Sequence, residues 1–138
     1  RSTDAQYLCS ALMSPLCSPT LASQIKAPVD ILKFPLLRSY RRDEWTLWMQ
    51  AAGEAPPSPT HNVVVFDSSV SMLEAAQAGI GVAIAPVRMF THLLSSERIV
   101  QPFLTQIDLG SYWITRLQSR PETSAMREFS RWLTGMLH

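Results

Sequence analysis

A chain of 138 residues suits one domain, or a domain of two small lobes, and its 46% apolar content is that of a globular protein rather than a disordered one. Twelve Lys and Arg against eleven Asp and Glu leave a net charge of +1, which offers no broad pull on nucleic acid. No apolar run approaches the roughly 18–20 residues needed to cross a bilayer, and Arg1-Ser2-Thr3-Asp4 lacks the charged-then-apolar order of an export signal.

In chain order, Tyr7 to Cys17 reads as extended, with Pro15 arguing for an edge position. Ser18-Pro19 opens a short helix that ends before Pro28. Ser18 is its cap, and proline suits the first helical position because its φ is preset and no N–H is needed there. Val29 to Phe34 adds one further turn, and Pro35 to Ser39 a short strand. Asp43 is placed to cap a helix to about Ala52. Trp45, Leu47, Trp48 and Ala51-Ala52 recur at helical spacing, and Gly53 supplies the stop. Glu54 to Thr60 holds three prolines and is a loop.

Asn62 to Phe66 is the clearest strand, apolar on both faces as a buried parallel strand is. A helix follows from about Ser69 to Ala78, with Glu74 in reach of Ser71 as a capping box. Gly81 to Pro86 is a second buried strand, so strand, helix and strand make a compact right-handed crossover. Val87 to Leu94 is a short helix, Ile99 to Leu104 is extended, and Tyr112 to Leu117 is rich in strand formers. Pro121-Glu122-Thr123 opens a last helix. Its Ala125, Met126, Phe129, Trp132, Leu133, Met136 and Leu137 form one apolar stripe. The pattern as a whole is α/β.

Most motifs that carry chemistry are missing. Gly79-Ile80-Gly81 ends a helix and opens a strand, the reverse of the order that brings a pyrophosphate to a helix N-terminus. There is no Gly-x-Ser-x-Gly elbow, and His61, His92 and His138 stand apart. Cys9 and Cys17 have no His nearby to share a zinc ion, and they read as two free, half-buried thiols in a reducing cytoplasm. Arg38, Arg41 and Arg42 read as a solvated turn, because no Gly-rich loop accompanies them. No cofactor, no metal and no catalytic residue is expected.

Two places remain. Asp67-Ser68-Ser69 lies between the end of a strand and the start of a helix, where open parallel sheets bind ligands and free N–H groups meet the positive end of the helix dipole. A serine there either donates to a carboxylate or amide of a ligand, or merely caps the helix. Tyr112 either aims its hydroxyl into a cleft or is an ordinary half-buried strand residue.

Phe66-Asp67-Ser68-Ser69 with Leu73-Glu74-Ala75-Ala76-Gln77-Ala78-Gly79-Ile80-Gly81-Val82-Ala83-Ile84-Ala85-Pro86 resembles the signature of LysR-type effector domains. Leu16-Cys17-Ser18-Pro19 matches that family's strand ending in Ser-Pro. The resemblance implies two α/β lobes joined by two crossover strands, like a periplasmic binding protein. Residues 1–9 would end the first lobe, 10–111 would form the second, and 112–138 would return to the first. It also implies that most of the first lobe and a winged helix-turn-helix domain, the only part to touch DNA, are absent. Within the family, Pro35-Leu36-Leu37-Arg38-Ser39-Tyr40 with Trp45 and Trp48, and Gly110-Ser111-Tyr112-Trp113, resemble regulators of inducible β-lactamase. That likeness implies a homo-oligomer that senses muropeptides or the UDP-linked peptidoglycan precursor. Ser69 and Tyr112 would be ligand contacts, with Ser68 and Asp67 beside them. A periplasmic solute-binding protein shares the fold and is the main alternative, and a doubly wound enzyme is a second.

Overall fold

The computed structural model describes residues 3–137, so Arg1, Ser2 and His138, one of the three histidines, lie outside the described residues. Five strands form one sheet: β1 (Thr3–Leu16), β2 (Leu36–Arg38), β3 (Val63–Val65), β4 (Val82–Pro86) and β5 (Ile107–Leu117). Their order is β3-β2-β4-β1-β5. Among the described residues five helices accompany them: α1 (Pro19–Ala22), α2 (Glu44–Ala51), α3 (Ser69–Gln77), α4 (Thr91–Ser95) and α5 (Ser124–Leu137). Tight 3-10 turns cover Pro28–Lys33 and Val87–Phe90. The chain divides into two compact units, Leu12–Leu109 and the paired segments Arg1–Ala11 and Gly110–His138.

In the larger unit, β2 runs parallel to both β3 and β4, and β4 runs antiparallel to β1. The period of two along a strand divides the core between the two sheet faces. Leu36, Val82 and Ile84 join Leu21, Ile31, Trp45, Trp48 and Met49 on one side. Leu37, Ala83 and Ala85 join Met72, Leu73, Ala76 and Phe90 on the other. Helices therefore cover both faces of the inner strands. The two tryptophans of α2 satisfy their indole N–H groups on backbone, Trp45 on the Leu37 carbonyl at 3.1 Å and Trp48 on that of Thr105 at 2.9 Å.

Several sequence expectations change. The three valines of β3 are not buried on both faces: β3 has β2 as its one neighbour, and they are 37–53% exposed. The β3–α3–β4 crossover also skips a place, because β2 lies between its strands. Pro15 is not at an edge: β1 lies between β4 and β5, and Pro15 sits buried opposite Ile84. As the last residue but one of its strand, it interrupts the ladder only near the end. Asp43 holds the cap position of α2 without capping it, and its carboxylate meets Arg41 Nε at 3.2 Å instead. Ser68, not Ser71, caps α3, so Ser71 is a helical residue and Glu74 has no cap to close. Of Ile99 to Leu104, only Val100 pairs, in a single bridge to Cys17. Both thiols are free and fully buried, and burial pushes Cys17 up to about 11.

In the smaller unit, Asp4 on β1 takes Arg116 and Gln118 from the β5 side of the unit. Gln6 donates to Thr134 on α5 at 3.5 Å. The apolar stripe of α5 is present, yet none of its residues is buried: Phe129 is 57% exposed, Trp132 58% and Met136 68%.

Candidate functional site

The parallel pairing of β2 and β3 brings two chain turns to the same end of the sheet. Arg38 stands in register with Val65, and the Phe66 N–H then donates to the Arg38 carbonyl at 2.9 Å. Beyond it the chain leaves the sheet at Asp67-Ser68-Ser69 and enters α3. The helix is anchored at its far end by Gly81, whose absent Cβ would lie 2.4 Å from the Pro35 carbonyl oxygen. The Val82 N–H bonds that same carbonyl at 3.0 Å. Gly79-Ile80-Gly81 is thus a helix stop and a close backbone approach.

Within this turn the structure separates the two serines. Ser68 is extended, and its hydroxyl accepts the Ser71 N–H at 3.4 Å, while its carbonyl takes the first helical bond, from Met72 at 3.0 Å. Ser68 is therefore occupied as the cap. Ser69, half-buried at the first helical position, has no side-chain partner among the described residues. Asp67 is exposed beside it. With Ser68 on the Ser71 N–H, the Ser69 hydroxyl and the N–H groups ahead of Ser71 are the ones left for an anionic or amide group.

Tyr112 belongs to the smaller unit, on β5. It is half-buried, and burial, with Cys9 adding to it, raises its pKa above the ordinary value. Its hydroxyl therefore stays protonated and able to donate at neutral pH. Its neighbour Trp113 meets Tyr7 edge to face, with ring centroids 5.6 Å apart.

The turn between β2 and α2 was read as a solvated arginine cluster; Arg41 and Arg42 are exposed, whereas Arg38 is half-buried. Arg38 Nη1 donates to the carbonyls of Ser39 at 2.9 Å and Arg41 at 3.3 Å. The Ser39 hydroxyl donates to Glu44 Oε1 at 3.0 Å. Glu44 is only 2% exposed, and its other carboxylate oxygen has no partner. Burial raises its pKa, against the Ser39 bond and the nearby Arg41 and Arg38, which lower it. Arg41 reaches 68 positions along the chain to the Leu109 carbonyl at 2.6 Å. Glu44 did not stand out in the sequence, and Arg41 was read only as part of a solvated turn, because the burial of the one and the Leu109 partner of the other are set by tertiary contact. His61 is spent on the Phe34 carbonyl at 3.0 Å. Among the described residues there is no group of three His, Cys, Asp or Glu that would hold a metal, and no helix is long and apolar enough to cross a membrane.

A family model of the LysR substrate binding domain matches residues 1–137. The chain belongs to that family. It is 93% identical over 136 residues to the HTH-type transcriptional activator AmpR of Citrobacter freundii, covering 99% of this chain and 47% of that protein. It thus spans about half the length of that relative. The solved AmpR effector binding domain from C. freundii superposes with a TM-score of 0.92 at 92% identity, over 99% of this chain and 68% of that one. A second structure is of that domain with threonine-to-valine, serine-to-alanine and tyrosine-to-phenylalanine substitutions. It superposes with the same TM-score at 90% identity, over 99% of this chain and 69% of that one. The fold is that of a LysR-type effector-binding domain, and the relatives are named as HTH-type transcriptional activators.

Proposed function

We propose that this chain is the greater part of the ligand-sensing domain of a cytoplasmic regulator of β-lactamase expression, and that it recognises peptidoglycan-derived muropeptides through Ser69 and Tyr112, with Ser68 and Asp67 as supporting neighbours. The observation that carries this reading is the spare Ser69 hydroxyl at the start of α3, next to a serine already used as the cap. The substituted C. freundii domain supports the pairing with Tyr112. Its replaced serine and tyrosine stand 43 positions apart, and so do Ser69 and Tyr112. An acidic muropeptide would suit Ser69 because a carboxylate gains from both the hydroxyl and the helix dipole.

On this reading residues 10–111 form the second lobe, residues 1–9 end the first lobe, and residues 112–138 return to it through the end of β5 and α5. The rest of the first lobe would cover the open α5 stripe. DNA contact would belong to a winged helix-turn-helix domain outside this span, and the whole protein would act as a homo-oligomer without a cofactor and without catalysis. A ligand switches such an oligomer only through a difference in affinity between two arrangements. Anhydro-muropeptides and the UDP-linked precursor would favour opposite ones.

The test is calorimetric titration of an anhydro-muropeptide into the complete effector domain and into its Ser69→Ala form. Losing a hydrogen bond to a charged group costs about 1.5–3 kcal/mol, which is roughly a ten- to hundredfold loss of affinity. Equal affinity in the two proteins would remove Ser69 from the site. Recovering a chemically altered ligand after incubation would overturn the non-catalytic reading.

A further inference from the structure

The chain enters the segment that carries Tyr112 through one peptide, Leu109–Gly110, and a side chain from elsewhere holds that peptide. Arg41 Nη1 donates to the Leu109 carbonyl at 2.6 Å. Arg41 Nε also meets Asp43 at 3.2 Å, so the guanidinium is held from two directions. The residue after the held carbonyl is Gly110, with a φ of +152° that L side chains rarely adopt. It is also the first residue of the smaller unit after Leu109 closes the larger one. The held Leu109 carbonyl lies on β5, the strand that also carries Tyr112.

The other side of the same turn leads to Ser69. Arg38 accepts the Phe66 N–H at 2.9 Å, three residues before Ser69, and its guanidinium holds the carbonyls of Ser39 and Arg41. Ser39 closes the turn on Glu44. One hydrogen-bonded segment, residues 38–44, thus touches the backbone just ahead of each residue assigned to the effector. The neighbouring Arg42 is exposed and makes no bond among the described residues, so charge alone does not distinguish the two arginines.

We propose that Arg41 is a positioning residue for effector recognition: by holding the Leu109–Gly110 peptide it sets the strand that carries Tyr112, without touching ligand itself. The inference rests on the assignment of Ser69 and Tyr112 above. It concerns how Tyr112 is placed, so it applies to any effector that Tyr112 contacts.

The experiment uses the full-length regulator with an anhydro-muropeptide as probe. Arg41→Ala should weaken binding about fivefold or more, Arg41→Lys should recover part of the loss, and Arg42→Ala should bind as the parent does. The thermal midpoint of Arg41→Ala should stay at the parent's value, since the side chain is exposed. The deciding measurement is a double-mutant cycle. In a Tyr112→Phe background Arg41→Ala should cost almost nothing further, whereas in a Ser69→Ala background its full cost should remain. Parental affinity in Arg41→Ala, or a loss of the same size in the Tyr112→Phe background, overturns the inference and leaves the effector reading intact. If Ser69→Ala and Tyr112→Phe both bind as the parent does, the reading itself fails and this inference fails with it.

Discussion

The two units of the chain are built by the same rules and differ in how far those rules are satisfied. In Leu12–Leu109, helices lie over both faces of the inner strands, and Trp48, Leu36, Leu37 and Ile84 are fully enclosed. In the smaller unit, α5 is the most strongly amphipathic helix of the chain, yet it encloses none of its own side chains. Amphipathic patterning shows that a helix has a face to bury. It does not show which surface will bury it, because that surface is supplied by other parts of the chain. A span that covers 68% of the solved C. freundii effector domain can complete one unit and leave the other with an open face.

The largest effect that would break this contrast is at Trp48. Its ring is fully buried against Trp45 and Phe103, with centroids 6.1 and 5.9 Å away, and its N–H is bonded to Thr105. Trp48→Ala removes a large core side chain and leaves the Thr105 carbonyl with Ser14 as its remaining donor, a loss of about 3–5 kcal/mol. Urea denaturation of the complete effector domain measures it. A loss below about 1 kcal/mol would mean that the larger unit is far less tightly closed than it is described here.

Much of this unit was legible in the sequence because the signals were local. Ser18-Pro19 opens α1 with the Leu21 N–H on Ser18 Oγ, and the apolar runs at Val82–Pro86 and Leu36–Arg38 became inner strands. The failures share one cause. A run of three valines looks alike at the edge and in the centre of a sheet, since neighbours are chosen by distant segments. Asp43 and Ser68 are both good cap residues by type, but backbone geometry decides between them. Ser68 is extended at φ −134° and ψ 128°, whereas Asp43 is already helical at φ −94° and ψ −2°, so only Ser68 turns its side chain to the helix N–H groups. At the candidate site, the serine pair and Tyr112 were singled out from position and family pattern, and their role remains a proposal. The reach of Arg41 to Leu109 could not be read at all, because that partner lies 68 residues away.

A smaller effect sharpens the comparison from within the larger unit. Glu44 is its buried carboxyl with an unpartnered oxygen, and burial lifts its pKa above the ordinary 4.5. A carboxyl that holds its proton more tightly when folded contributes stability that is full below the unfolded pKa and is lost as pH rises through the folded one. Glu44→Gln should therefore remove a fall in stability that the parent shows as pH climbs from about 4.5. It should also leave Ser39 its acceptor. Equilibrium denaturation across that range is the check, and an unchanged pH slope in the variant would show that Glu44 is not its source.

The smallest effect is the most informative about the open unit. Trp132 on α5 is 58% exposed, with Phe129 tilted beside it at a centroid distance of 5.9 Å. Within the 138-residue span, Trp132→Ala is close to a surface substitution and should shift stability by no more than about 0.5 kcal/mol. In the complete effector domain the same change should cost several times that, because the rest of the first lobe would take the indole out of water, worth roughly 25 cal/mol for each Å² of apolar surface covered. The difference between the two measurements, made by hydrogen exchange at α5 amides or by denaturant, reports how much of this face the absent surface covers. An equal and small effect in both proteins would mean that Trp132 faces solvent in the complete domain too. The α5 stripe would then be completed through Met126, Phe129 and Leu133 alone, and the covering surface would meet the first half of the helix rather than its end.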